Sequence, residues 1–206
     1  MGDLESAQKD FVSATTDLDS ARSFEKKISP HRRGLISLVA GNVYAHTARD
    51  QSELLSALKV IDAASHEIGR SEDDARIPSK LDEERYYLDK GSAYIASIHK
   101  EACSPQDARK ELDQATKLTL PIFRTRHAYN AVRYAQTFLV EKDYPMATSY
   151  GEHALTLVKG TRSATNLAFL EALYRGLRSS SFGKDVSVAQ FGVELLKVQR
   201  PQLFSS

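Results

Sequence analysis

Six histidines, one cysteine and ten glycines are the residues through which metal binding, nucleophilic catalysis or phosphate binding would first show in this chain. A zinc site needs several converging ligands, yet no two of His31, His46, His66, His99, His127 and His153 lie one helical turn apart. His99 and Cys103 share a helix face at i and i+4, but without a second such pair they describe a half-buried thiol beside a surface imidazole. A nucleophilic thiolate requires a base and a group to orient it, and nothing in the sequence places either beside Cys103. The glycines stand alone, so no phosphate-cradling loop is formed, and Gly41, Gly91 and Gly151 fit close helix crossings instead. Asp73-Asp74 and Glu83-Glu84 fall in loops or first helical turns, where the helix dipole favours a carboxylate without any catalytic role. The expectation is a protein that is not an enzyme and uses no metal or other cofactor.

Charge narrows the partners. Lys and Arg total 28 against 27 for Asp and Glu, a balance that gives no general attraction to nucleic acid or to an anionic membrane. Two local basic clusters, His31-Arg32-Arg33 and Arg124, Arg126, His127 and Arg133, could meet phosphate. Neither is interleaved with aromatics as single-strand binders require, which leaves a solvated face or an acidic stretch of partner. With 41% apolar and 27% charged residues the chain has enough apolar surface to fold. It shows no secretory leader, no run of about 18 apolar residues, and a single cysteine that cannot form an internal disulfide, so a cytoplasmic protein with no membrane partner is expected.

Those residues must be positioned by helices. Apolar residues recur at three and four, as in Leu35, Leu38, Val39 and Val43, and almost nowhere at two. Helix starts are marked by short polar side chains that can accept the unpartnered amides of a first turn. Ser29-Pro30 and Ser104-Pro105-Gln106-Asp107 combine a capping hydroxyl with a proline at the first helical position. Asp50 with Glu53, Ser79 with Asp82, Ser163 and Asp185 supply further caps, and Pro145 follows Asp143-Tyr144 as another first-turn proline. The spans predicted are 4–22, 30–48, 51–68, 80–101, 105–118, 122–141, 145–158, 163–179 and 186–198, about nine helices in an all-α chain.

Short links force consecutive helices antiparallel, and such hairpins either close as a bundle or extend as a stack. Internal repetition favours the stack. Ala7, Phe11 and Ala14 share their offsets with Ala57, Ile61 and Ala64, with Ala108, Leu112 and Ala115, and with Ala147, Gly151 and Ala154. The preceding helices carry Ser37, Ala40, Gly41 and Tyr44, then Tyr87, Lys90, Gly91 and Tyr94, then Ala131, Tyr134, Ala135 and Phe138, a small residue with an aromatic three residues on. Small residues let backbones approach at a crossing and large ones fill the space beyond it.

This arrangement resembles the tetratricopeptide repeat family, whose signature places Gly and Tyr in a first helix and Ala-x3-Phe in a second. Tyr87, Gly91, Tyr94, Ala108, Leu112 and Ala115 match it, and so does the step from Phe138 to Ala147 with a tight turn at Asp143-Tyr144. No leading tryptophan is present, Lys90 replaces the leucine, and the period runs 50 residues from Gly41 to Gly91 and 44 from Gly91 to Ala135, so the repeats are degenerate and a simple bundle remains open. The resemblance implies an α-solenoid of antiparallel helix pairs near 30–68, 80–118, 122–158 and 163–198, preceded by a lone helix at 4–22, the whole of 1–206 forming one domain. That lone helix is of the second type and lacks a first, which suggests a piece of a longer protein, similar to the C-terminal half of bacterial regulators that join a helix-turn-helix to such repeats.

What the resemblance implies for function is a concave groove lined by first helices that holds a protein or peptide. Its register puts Leu38, Asn42 and Ala45 on the lining, then Arg85, Leu88, Asp89, Ser92 and Ile95, then Tyr129, Val132, Arg133, Gln136 and Val140. Asn42, Arg85, Arg133 and Gln136 would hydrogen-bond a bound backbone or carboxylate, with Tyr129 as aromatic anchor. The alternatives are self-association as a homodimer or scaffold, and a small-ligand sensor in which Leu88, Ile95, Tyr129 and Phe138 bound a sealed pocket.

Overall fold

The computed structural model describes residues 13–24, 27–68, 82–98, 102–161 and 163–204, and among them every regular element is helical. Following α1 at 13–22 come α2 (Pro30–Thr47), α3 (Gln51–Ser65), α4 (Glu83–Ile98), α5 (Pro105–Leu118), α6 (Arg124–Val140), α7 (Tyr144–Thr161), α8 (Ala164–Ser179) and α9 (Val186–Gln199). A 3-10 turn at Pro201–Leu203 closes the described chain. None of these helices is long and apolar enough to cross a membrane.

Capping explains where the helices begin. Ser29 accepts the amide of Arg32, Asp50 that of Glu53 at 2.9 Å, Ser163 that of Asn166 and Asp185 that of Ser187. Ser104 and Asp107 cap each other's amides at 3.1 Å, a reciprocal box that holds the Asp107 carboxyl below its ordinary range through the bonds from Ser104. The expected cap Ser79 lies outside the described residues. Asp82, read from sequence as the acid inside that helix, is itself the cap, accepting the Arg85 amide at 2.8 Å. One hairpin turns through a left-handed residue: Lys142 has φ 64°, and Asp143 N–H returns to Phe138 C=O at 2.9 Å to close α6.

The helices gather into two compact units, Met1–Ala115 and Thr116–Ser206, with the division inside α5. In the first, α2 packs on α3 and α4, and α3 on α4. Its core holds Leu38, Ala45, Leu54, Ala57, Ile61, Ala64, Tyr86 and Ala93, with Cys103 half-buried against it. Gly41 and Gly91 mark the closest approaches. A methyl group on Gly41 would press on Ile61 Cγ1 and on the backbone of Ala57 and Ile61, so that position excludes a side chain, whereas one on Gly91 would meet Leu112 Cδ2 at 2.8 Å and force that side chain to shift. Of the repeated Ala7-Phe11-Ala14 triplet only Ala14 is described, half-buried on α1, whose Asp19 accepts from Tyr44 of α2.

In the second unit, α6 packs on α7 and α8, α7 on α8 and α9, and α8 on α9, a set of neighbours that successive hairpins share. Val132, Leu155, Val158, Leu170, Leu173, Leu177, Val188 and Phe191 fill its core. Gly151 again sits at a crossing, where an added methyl would lie 2.8 Å from Leu173. Asn166, buried in the first turn of α8, donates to Thr125 C=O at 2.9 Å and ties the start of α8 to the start of α6.

Candidate functional site

The eight predicted lining residues divide between the units and differ in what they touch. In the first unit they close on themselves. The Asn42 amide donates to Asp89 C=O at 3.0 Å, and Arg85 Nε donates to the Asp89 carboxylate at 2.5 Å one turn away. Asp89 and Ser92 are buried. Leu38 and Ala45, read as lining, belong to the core, because the same face of α2 that would have met a ligand meets α3 and α4.

Lys90, the residue that departs from the family pattern, is the centre of a polar cluster the sequence did not disclose. Its ammonium lies 2.8 Å from Asp62, 3.1 Å from Tyr86 Oη and 3.7 Å from Glu111, between the rings of Tyr86 and Tyr94. Burial works against its charge, but hydrogen bonds to Asp62 and Tyr86 and the nearby Glu111 outweigh it, so the lysine is held protonated above its ordinary range. Burial pushes the Tyr86 phenol up to about 12, and Asp62 adds to that. The same desolvation raises the Glu111 carboxyl and the Cys103 thiol, which makes Cys103 a poorer nucleophile than a free cysteine.

In the second unit the arrangement is different. Tyr129, Arg133, Gln136 and Val140 recur at four, three and four residues along one face of α6. Arg133 is only 6% exposed. Its guanidinium carbon sits 4.8 Å from the centre of the Tyr129 ring and 4.2 Å from that of Phe169, which comes from α8. One terminal nitrogen donates to Gln136 Oε1 at 2.9 Å and the other to Tyr129 Oη at 2.8 Å. Nε has no partner, and among the described residues no carboxylate pairs with the guanidinium. Val132, expected on the lining, faces the core instead, and Val140 is half-buried at the end of α6.

Compared with known proteins, the chain matches no family model, no curated sequence and no solved structure.

The sequence missed Phe169. It lies on α8, 36 residues after Arg133, and an aromatic on an amphipathic helix carries no mark that it will cover an arginine on another helix. The other expected aromatic, Phe138, is stacked on Tyr150 at 5.3 Å and is packing. Among the described residues no group of His, Cys, Asp and Glu converges as metal ligands.

Proposed function

We propose that the chain is a partner-binding module built of degenerate tetratricopeptide-like hairpins, and that α6 presents the face that recognises a polypeptide. The single observation that carries this reading is Arg133. A buried cation ordinarily has a counter-charge, because removing it from water is costly and a carboxylate recovers much of that cost. Arg133 has neutral acceptors and two aromatic faces, which hold the guanidinium in a fixed orientation by hydrogen bonding and cation–π attraction without neutralising it. Such a fork is preorganised for a carboxylate supplied by another molecule. Tyr129, Gln136 and Val140 on the same face of α6 supply the neighbouring surface along which an extended or helical segment would run. Placement within a regulator follows from the same resemblance.

A random-peptide display selection on the purified chain, followed by affinity measurement of selected peptides on Arg133→Met, tests this. The expected outcome is enrichment of acidic peptides and a loss of affinity of about tenfold or more on replacing the guanidinium, with the melting temperature retained. Selection of no peptide, or equal affinity of Arg133→Met for the selected peptides, would sink the reading.

A further inference from the structure

The connection between α5 and α6 carries a surface unlike any other described part of the chain. Leu118 is 41%, Leu120 56%, Ile122 76% and Phe123 39% exposed, and Pro121 between them is exposed as well. Four large apolar side chains within six residues, all reaching water, are more than scattered surface hydrophobes, and clustering of this kind marks an interaction surface. Yet the tip is held in place. Phe123 N–H bonds Leu120 C=O at 2.9 Å, Arg124 N–H bonds Ile122 C=O at 3.0 Å, and the His127 ring reaches Leu120 C=O at 3.2 Å. Thr119, the polar member of the tip, is turned inward and buried.

The helix that follows breaks the capping habit of its neighbours. Every helix from α2 to α5 and from α7 to α9 starts with a serine or aspartate accepting a first-turn amide. At α6 the cap position is Phe123, with no side-chain hydrogen bond. A serine there would cap a first-turn amide and stabilise the helix, and local rules tend to be broken where a surface does something else.

Charge identifies the occupant. From Gln114 to Val140 there is no Asp or Glu, while Lys117, Arg124 and Arg126 flank the apolar tip on both sides, and Arg126 lies 5.0 Å over the Phe123 ring. We propose that this tip is a peripheral docking element for an anionic lipid surface, with Leu120, Ile122 and Phe123 entering the interface and Lys117, Arg124 and Arg126 meeting headgroup phosphates. The bare tip favours lipid over protein. Protein interfaces carry a hydrogen bond for every 100–200 Å² or so, and this tip offers no exposed side chain that could make one, whereas an apolar point with a cationic collar fits the boundary between acyl chains and headgroups. This inference stands apart from the reading of Arg133 and does not need it.

Co-sedimentation of the full chain with vesicles of phosphatidylcholine alone, and of phosphatidylcholine mixed with phosphatidylserine, is the test. Binding is expected to the mixed vesicles only and to fall as salt is raised. Arg124→Gln should weaken it about fivefold, the loss expected for one cation at a charged surface. Ile122→Ser should weaken it by about tenfold, the fold kept intact because that side chain is mostly in water, which circular dichroism verifies. Absence of binding to the mixed vesicles by the parent chain overturns the proposal. So does vesicle binding indifferent to Ile122→Ser, or self-association in solution that Ile122→Ser abolishes, which would make the tip a protein contact.

Discussion

Asp89 on α4 and Arg133 on α6 occupy matching positions, each two residues before the small residue of the repeated sequence pattern, Gly91 in one unit and Ala135 in the other. The residue one turn earlier decides their fates. Before Asp89 it is Arg85, so the charge is answered within its own helix. Before Arg133 it is Tyr129, which orients a guanidinium by its hydroxyl and its ring but leaves the charge standing. Lys90 shows how the first unit treats even a cation at its core, surrounding it with Asp62, Tyr86 and Glu111. One unit pairs its buried charges within itself, and in the other the Arg133 guanidinium meets neutral acceptors and aromatic rings.

The largest effect expected from pressing on this contrast is at the crossing itself. Ala108 is fully buried where Gly91 meets α5, so Ala108→Leu should destabilise the fold by about 3 kcal/mol through overpacking, read by chemical denaturation. An unchanged midpoint would remove the register on which the match of Asp89 with Arg133 depends.

Next in size is a pair of substitutions with unequal effects. Lys90→Met leaves Glu111 and the Tyr86–Asp62 pair without their cation and should cost about 2 kcal/mol. Arg133→Met removes a buried charge that no carboxylate among the described residues answers and keeps most of the side chain's volume against Tyr129 and Phe169, so stability should hold within about 1 kcal/mol or improve. Equal losses at both sites would mean that Arg133 is as structural as Lys90.

Alkali distinguishes the units more gently. A phenol whose folded pKa stands at about 12 against an ordinary value near 10 adds stability below pH 10 and forfeits it as the pH climbs from 10 through 12, because the unfolded chain loses its proton first. Thermal melts across that window should therefore show falling stability. In Tyr86→Phe the fall should be shallower, and an identical slope in the variant would place the alkaline sensitivity elsewhere.

Helix positions and caps were readable because they depend on local chemistry: Ser29, Asp50, Ser104, Ser163 and Asp185 act on amides two or three residues away. The crossings were readable too, since Gly41 and Gly91 repeat opposite Ala57 and Ala108, and a methyl added at Gly41, Gly91 or Gly151 would press on a residue of the facing helix. What α6 would do was only half visible. The spacing of Tyr129, Arg133 and Gln136 put them on one face, but whether Arg133 stood open to solvent or was covered depended on Phe169, 36 residues later and on another helix. The same holds for Lys90, which reads as a misplaced surface residue until Asp62 and Glu111 arrive from two other helices. Side-chain pairing across helices carries no local signature, and a charge's partner is what separates a strut from a site.

The smallest expected effect contrasts how the two units turn. The α2–α3 connection leaves its helix through Ala48 in an extended conformation, with its amide returned to Tyr44 C=O, and needs no left-handed residue. The α6–α7 connection uses Lys142 at φ 64°, where the side chain's Cβ crowds the backbone and a glycine would not. Lys142→Gly should stabilise the protein by about 0.5 kcal/mol, the relief of that crowding being partly offset by the greater freedom glycine gives the unfolded chain. Ala48→Gly, lacking any such relief, should lower stability by a similar amount. Both substitutions add similar flexibility to the unfolded state, and Ala48→Gly also removes a methyl buried in the core, so the left-handed turn is read from Lys142→Gly alone: a loss of stability there would deny the turn that carries α7 back along α6.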